Sequence, residues 1–301
     1  MLVTAQSYAL SGISGIPIHV EVNLSFSIPA FDVVGLPDLA VKESRERVRA
    51  ALKNCGFPFP SERITVNLAP ADIKKEGPAF DLPIALGILA CKGLIPPASL
   101  EDSAFIGELS LNGDLRGVRG VLALAISARE HGVKTLYLPA ANLPEVRCIE
   151  GIHIIPLNDL RQAAAHLNGD AIIPPAETIA YATLLSEHSA MADFAYVKGQ
   201  RSAKRALEIA AAGGHNVLMI GPPGSGKTLM ARCIPSILPS MTFDEALETT
   251  RIHSVSGSLP DTGLLTERPF RSPHHTASHV SLVGGGLHAQ PGEISRAHNG
   301  L

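Results

Sequence analysis

The chain has 301 residues, of which 46% are hydrophobic, 18% charged and 4% aromatic, and its formal net charge is −3. This length predicts about two domains, and the charge excludes a uniformly basic nucleic-acid-binding surface, so any such contact must be a local patch. The longest apolar run, residues 83–91, is too short to span a membrane, and the N-terminus lacks the pattern of a signal peptide. The four cysteines are scattered, which argues against disulfides and zinc. We therefore expect a cytoplasmic protein with no membrane contact.

Residues 1–168 alternate helix-like and strand-like segments and predict one α/β domain. Residues 40–57 form an amphipathic pattern with Val41, Val48, Leu52 and Cys55 on one face. The segments that follow predict a strand (63–70), a buried helix (81–94), a hairpin turning at Asn112–Gly113 (104–118), a helix and strand (121–141) and a strand and helix (152–169).

Residues 169–192 have a Pro–Pro pair and no clear period, which is typical of an interdomain connector. The second domain then occupies residues 193–301. Its first helical pattern places Ala203, Ala206, Leu207 and Ala210 on one stripe.

The sequence "GPPGSGKT" matches the phosphate-binding pattern G-x-x-x-x-G-K-[ST]. The apolar segment Asn216–Ile220 predicts a strand before it, and a helix is expected after it. Glycines let successive N–H groups face phosphate oxygens, a lysine reaches the β- and γ-phosphates, and a threonine hydroxyl ligates Mg²⁺. We therefore predict an ATP and Mg²⁺ site, with Lys227 and Thr228 in catalytic roles, formed by Gly221, Pro222, Pro223, Gly224, Ser225, Gly226, Lys227 and Thr228.

Residues 193–301 resemble the magnesium-chelatase-like AAA+ ATPases of the ComM/YifB type. The resemblance lies in "VKGQ", "AKRALEIAAAGGHNVLMIGPPGSGKT", "RPFRSPHHTAS", "LVGGG" and "PGEISRAHNG". It implies a partial AAA+ P-loop NTPase α/β domain in which Val197 and Gln200 lie against the adenine. It also implies a homo-oligomeric ring, expected to be a hexamer, that couples ATP turnover to DNA remodelling such as branch migration.

The resemblance places the acidic Walker B strand after "AHNGL", beyond Leu301. Asn216–Ile220 would then have bare edges and an uncovered apolar face. We expect this chain to be unable to hydrolyse ATP alone, and proteolysis to trim it within residues 169–191.

Six histidines lie near one another in the second domain: His253, His274, His275, His279, His288 and His298. No carboxylate or cysteine stands at ligand spacing, which disfavours zinc. The resemblance implies an insert near the ring pore that touches DNA or a neighbouring subunit, and a purely structural role stays open.

Residues 74–89 and 106–139 resemble the proteolytic domain of Lon, which implies an α+β fold of the ribosomal-S5-domain-2-like kind for residues 1–168. The positions of the Lon nucleophile and its lysine fall at Ala79 and Leu122, whose alkyl side chains can neither attack a carbonyl nor accept a proton. Asp81, the reactive side chain left in this turn, is a poor hydrolase alone. We predict a non-proteolytic domain that serves assembly or DNA contact.

Two interpretations of the basic residues in this domain stay open: a solvated face with i,i+4 pairs such as Glu43–Arg47, or contacts to phosphates. The residues are Arg45, Arg47, Arg49, Lys53, Lys74, Lys75, Arg116 and Arg119.

Two other functions remain open at this point: a magnesium-chelatase motor subunit and a non-enzymatic nucleotide-gated binding module. The Lon-like segment argues against the first, and an acidic pair after Leu301 would argue against the second.

Overall fold

The computed structural model describes residues 1–185, 192–259, 263–285 and 290–301. The chain divides into two compact units. The first contains Met1–Thr178 and Ser254–Gly263, and the second contains Ile179–His253 and Leu264–Leu301.

The first unit is built from helices around one large sheet, which confirms the predicted α/β class. In chain order its elements are β1 (Leu2–Ser11), β2 (Ser14–Ser25), β3 (Phe31–Val34), α1 (Leu39–Asn54), β4 (Arg63–Ala69), α2 (Asp81–Cys91), β5 (Ser103–Phe105), β6 (Glu108–Leu109), β7 (Leu115–Arg116), α3 (Val121–Glu130), β8 (Thr135–Pro139), α4 (Leu143–Val146), β9 (His153–Leu157) and α5 (Leu160–Asn168). Short 3₁₀ turns cover Pro97–Leu100 and Ala140–Asn142.

The seven-stranded sheet has the order β3-β4-β2-β1-β5-β8-β9. The central strands β1, β2 and β4 pair antiparallel, and β3 and the series β5, β8 and β9 join in parallel. Alternate residues of β2 and β4 point into the core, so Val20, Val22 and Val66 are fully buried. Helix α2 is buried along its whole length, because it is apolar on every side.

Helix α1 begins and ends close to where the sequence indicates. The Asp38 carboxylate caps it by accepting the N–H of Val41 at 2.8 Å. The glycine at the end of the 40–57 pattern stops the helix as its position indicates, because Gly56 has φ +84° and turns the chain away. Cys55 therefore lies at the helix end and is only half-buried.

The predicted hairpin at Asn112–Gly113 is confirmed as β6 and β7. Ser110 and Asp114 close its loop, since the Ser110 N–H donates to Asp114 O at 2.9 Å. Gly113 has φ +91°, which only glycine adopts without strain. A Cβ there would also stand 2.2 Å from Cys55 Sγ.

The second unit is mainly helical in its described residues. Its elements are α6 (Tyr181–Leu185), α7 (Arg201–Gly213), α8 (Lys227–Cys233), α9 (Phe243–Val255), α10 (His279–Val283), β10 (Gly284–Gly285), β11 (Gln290–Pro291) and α11 (Glu293–Arg296), with 3₁₀ turns at Phe194–Tyr196 and Ile234–Ile237. The last two residues of α9 belong to the first unit. On α7, Leu207 is buried but Ala206 is exposed, so the predicted stripe packs only in part.

The predicted strand Asn216–Ile220 is absent from the described structure. No described segment forms a ladder with these residues, and without ladder hydrogen bonds an extended segment is not a strand. Leu218 is 84% exposed and Ile220 is 88% exposed. The segment therefore has the bare, uncovered apolar face that the sequence predicts.

The predicted interdomain connector, residues 169–192, is partly helical. Within residues 169–192, helix α6 belongs to the second unit, where the Tyr181 hydroxyl donates to Met241 O at 2.9 Å. Within the same segment, residues 186–191 lie outside the described residues. No helix in the described part of the chain is long and apolar enough to cross a membrane.

Candidate nucleotide-binding site

The phosphate-binding pattern forms an open loop that runs directly into α8. Gly224 and Gly226 have φ values of +78° and +85°, so the chain reverses its curvature at both positions. A Cβ at either position would meet nothing within 4 Å. Glycine is therefore required here by the backbone conformation, and the space beside the loop is open.

The Lys227 side chain folds back over this loop. Its Nζ donates to Gly221 O and Pro222 O, both at 2.8 Å, and to Ser225 Oγ at 3.2 Å. These acceptors are uncharged, so a phosphate oxygen in the same place would bind the ammonium more strongly. The lysine is therefore already positioned over the centre of the loop.

Main-chain N–H groups of the loop are free to bind an anion. Within the described residues, those of Gly224, Gly226 and Thr228 donate to no protein acceptor. The next group, the Met230 N–H, is bonded to Gly226 O at 2.9 Å. The side chain of Thr228 is exposed beside them. This set of donors, with one ammonium and one hydroxyl, fits a phosphate chain with its magnesium ion.

Val197 is connected to the loop through an apolar cluster. It packs with Phe194, Leu207 and Met230, and Met230 lies two residues after Thr228 on α8. Gln200 is exposed at the start of α7, with φ +51°. The structure therefore brings Val197 close to the phosphate-binding helix, and it places Gln200 on the surface.

Comparison with known proteins gives separate matches for the two parts of the chain. The family described as "Magnesium chelatase, subunit ChlI" matches residues 193–301, and "Subunit ChlI of Mg-chelatase" matches residues 20–142. The uncharacterized protein YifB of Escherichia coli is 44% identical over 97% of this chain. The competence protein ComM of Haemophilus influenzae is 42% identical over 100% of it. The chain belongs to the magnesium-chelatase-like AAA+ family. A more distant similarity joins it to Lon protease 2 of Bacillus subtilis, 29% identical over 45% of this chain and 24% of that protein.

The chain spans about three fifths of the curated relatives it matches along its whole length. It covers 57% of YifB and 59% of ComM. What this family member shares with them is therefore the Lon-like segment and the phosphate-binding loop with its surroundings.

The histidines of the second unit are held in several separate places. The Nδ1 of His274 lies 2.7 Å from Thr276 Oγ1, and its ring lies 4.2 Å from that of His275. The Nε2 of His253 lies 2.9 Å from Arg296 O, and that of His298 lies 3.1 Å from Glu248 Oε2. His279 begins α10, and His288 lies outside the described residues. Among the described residues, no three His, Cys, Asp or Glu side chains come together to hold a metal ion.

The Lon-like turn lies at a cleft of about 360 Å³ in the first unit. Ala79 contributes a methyl group there, while Val118, Arg119 and Leu124 line another part. Leu122 is fully buried, so its side chain is packed in the core. Tyr8 also lines the cleft, and burial raises its pKa to about 12, so its hydroxyl stays protonated near neutral pH.

We expect no peptidase activity from this cleft. An alkyl group replaces the nucleophile, and a neutral phenol is a weak one. Incubation of the chain with unfolded casein should release no peptides, with Ala79→Ser as a matched variant that restores a hydroxyl but no base. Peptide release that persists in a protease-free preparation would contradict this expectation.

The structure removes two residues from the predicted phosphate contacts. Lys75 is fully buried, and its Nζ donates to Pro70 O. Arg47 donates from Nε to Asp81 Oδ2 at 2.6 Å and from Nη2 to Asp81 Oδ1 at 3.0 Å. The i,i+4 contact to Glu43 is longer, at 3.9 Å. Both cations are therefore committed inside the first unit.

Asp81 was considered from the sequence as a reactive group, but its contacts make it structural. Its side chain is fully buried, and Oδ2 also accepts the N–H of Leu109 at 3.2 Å. Burial raises the pKa of this carboxyl, and the hydrogen bonds from Arg47 oppose that rise. A charged pair between α1 and the start of α2 has no local sequence signal, because the partners are far apart in the chain.

The other predicted basic contacts are at the surface. Lys74 pairs with Glu76 at 2.6 Å, and Arg116 pairs with Glu108 at 3.6 Å. Arg119 is exposed at the rim of the cleft that Ala79 lines. These pairs are solvent-accessible and weak, so a phosphate could displace the carboxylates.

Proposed function

We propose that residues Gly221–Thr228 bind Mg²⁺·ATP, as part of an AAA+ ATPase that works as a homo-oligomeric ring and remodels DNA. The observation that carries the nucleotide site is the position of Lys227, whose ammonium lies over a loop with free N–H groups. The lysine would exchange its carbonyl acceptors for the β- and γ-phosphate oxygens. The Thr228 hydroxyl would ligate the magnesium ion.

Family membership supports the rest of the proposal. The resemblance to AAA+ ATPases implies nucleotide turnover coupled to mechanical work in a ring, here proposed to be a hexamer, and one relative is named as a competence protein. DNA remodelling such as branch migration is the work that the resemblance to ComM implies.

The nucleotide site makes a specific prediction for ligand selectivity. Calorimetric titration of the chain should give binding of Mg²⁺·ATP and ADP, whereas AMP, which lacks a β-phosphate, should bind at least about tenfold more weakly. Chelating Mg²⁺ should weaken ATP binding to the wild type but change it little for Thr228→Val, which has lost the hydroxyl. The matched control is Thr183→Val, on α6 of the same unit, which should keep the wild-type dependence on Mg²⁺.

Equal affinity for AMP would contradict the assignment of the loop to phosphates. ATP turnover stimulated by a porphyrin and unaffected by DNA, in an active assembly, would instead favour a chelatase motor. ATP binding with no turnover in any assembly would favour a nucleotide-gated binding module.

A further inference from the structure

The first unit has a basic cleft at the outer edge of its sheet. The cleft has a volume of about 680 Å³ and lies between β3, β4 and α1. Its charged side chains are Lys42, Arg45, Arg63 and Asp32, and hydroxyl groups come from Ser25, Ser27 and Thr65. Three cations therefore face one carboxylate, in a chain whose net charge is −3.

Two of these cations are not neutralised. Arg63 takes the single carboxylate, since its Nε and Nη2 donate to Asp32 Oδ2 at 3.1 and 2.7 Å. Arg45 donates to Lys42 O at 3.2 Å and to Phe31 O at 3.4 Å, both main-chain carbonyls. Among the described residues, neither Lys42 nor Arg45 forms a salt bridge. Their positive charge is therefore open to an external anion.

The positive charge continues along α1. Lys42, Arg45, Arg49 and Lys53 follow the spacing i, i+3, i+7 and i+11, which keeps them on one helical face over about 16 Å. Arg49 and Lys53 lie over the ring of Phe59, at 5.1 and 5.9 Å from its centre. Glu46 borders this stripe. The face is long enough to follow several phosphates of one strand.

The loop between β2 and β3 adds exposed apolar groups at the rim. Phe26 is 98% exposed and Ile28 is 85% exposed, and their neighbours Ser25, at the end of β2, and Ser27 line the cleft. An aromatic ring that packs against nothing offers both of its faces to a ligand. Unpaired bases stack on such rings, each contributing a sequence-tolerant share of affinity.

We propose that this cleft binds single-stranded DNA, with Lys42 and Arg45 on phosphates and Phe26 stacked on an unpaired base. The inference rests on the DNA-remodelling part of the proposed function and names the surface that would contact the strand. A duplex hides the faces of its bases, so it would leave Phe26 unused. Hydroxyl groups inside a concave cleft suit the phosphate oxygens of a strand that enters it, whereas a membrane surface would reach only the groups at its rim.

The test is fluorescence anisotropy of a labelled 20-nucleotide single strand titrated with the chain and its variants. Lys42→Ala/Arg45→Ala should weaken binding about tenfold or more and lower the salt slope by about 1.4, since single strands give about 0.7 per phosphate contact. Phe26→Ala should weaken single-strand binding at least about fivefold and change duplex binding much less.

Two matched controls distinguish DNA binding at this cleft from a nonspecific effect of surface charge or apolar area. Lys92→Ala/Lys134→Ala removes the same charge from exposed lysines that have carboxylate partners, and Ile172→Ala trims an exposed apolar side chain elsewhere in the unit. Both should bind the single strand like the wild type. Equal losses in the controls and the cleft variants would overturn the proposal, as would a wild type that ignores the single strand.

Vesicles of anionic lipid test the other class of partner. Binding to them that depends on Phe26, with single-strand binding unaffected, would assign the cleft to membranes and overturn the proposal. Titration of the same samples with Mg²⁺·ATP distinguishes failure of the cleft proposal from failure of the nucleotide-site proposal. Normal nucleotide binding with no single-strand binding would reject the cleft alone, and loss of nucleotide binding would reject the nucleotide site of the proposed function.

Discussion

Lys227→Ala should lower ATP turnover by about 10²–10³ in an active assembly that contains this sequence, equivalent to about 3–4 kcal/mol of transition-state stabilisation. The ammonium is the one cation folded over the phosphate-binding loop, among the described residues that contact it. Charge that develops on the transferring phosphoryl group would lose its nearest compensating donor. A coupled phosphate-release assay measures the turnover.

A control in the same unit is Arg205→Ala. Arg205 is exposed on α7 and pairs with Glu208 at 3.0 Å, so its removal deletes one positive charge without touching the loop. Turnover by this variant should stay within about twofold of the wild type. Near-normal turnover by Lys227→Ala would show that the loop does not hold the reacting phosphates.

The shape of the loop at the proposed nucleotide site could be predicted from the sequence because it depends on neighbouring residues. The donors from Gly221 to Thr228 lie within one loop and the start of α8, and glycines tolerate the positive φ found at two positions because they have no Cβ. The secondary structure of the first unit could be predicted in the same way, since strands show alternating apolar and polar residues and a capping residue such as Asp38 marks the start of a helix. Gly56 likewise marks the end of α1, because a glycine adopts the positive φ that turns the chain away from the helix.

Features that depend on distant partners could not be predicted. Asn216–Ile220 has the composition of a strand, but strand formation needs a neighbour, and propensity does not supply one. Lys75 looked exposed beside Lys74, yet it is buried against the main chain at Pro70. The basic cleft draws on β2, β3, α1 and β4, and Arg63 and Lys42 are adjacent only after the sheet edge and the helix have packed.

Arg47→Met should destabilise the first unit by about 3–5 kcal/mol, because it leaves the Asp81 carboxylate buried without its guanidinium. Asp81 is fully buried and the Arg47 side chain is 19% exposed, so solvent cannot replace the lost donor. Native-state hydrogen exchange at the amides of α2 and β4 measures the free energy of unfolding of this unit by itself. The double variant Arg47→Met/Asp81→Asn should recover much of the loss, since the amide oxygen still accepts the Leu109 N–H and carries no charge.

The sign of the pH dependence gives a second check on this pair. Burial raises the pKa of Asp81, and Arg47 opposes the rise. Removing Arg47 should therefore raise the folded-state pKa further above the unfolded value. Stability of the variant is then greatest below the unfolded pKa and is lost as pH rises through the folded pKa, so its deficit should be smaller at acidic pH than at neutral pH.

The matched control is Arg63→Met, which breaks the corresponding arginine–aspartate pair at the surface. The Arg63 and Asp32 side chains are 49% and 40% exposed, and water can solvate either charge when the other is removed. The expected loss is about 0–1 kcal/mol and should change little with pH. If Arg47→Met cost no more than Arg63→Met, the buried pair would not be holding α1 to the start of α2, and helix packing alone would account for their contact.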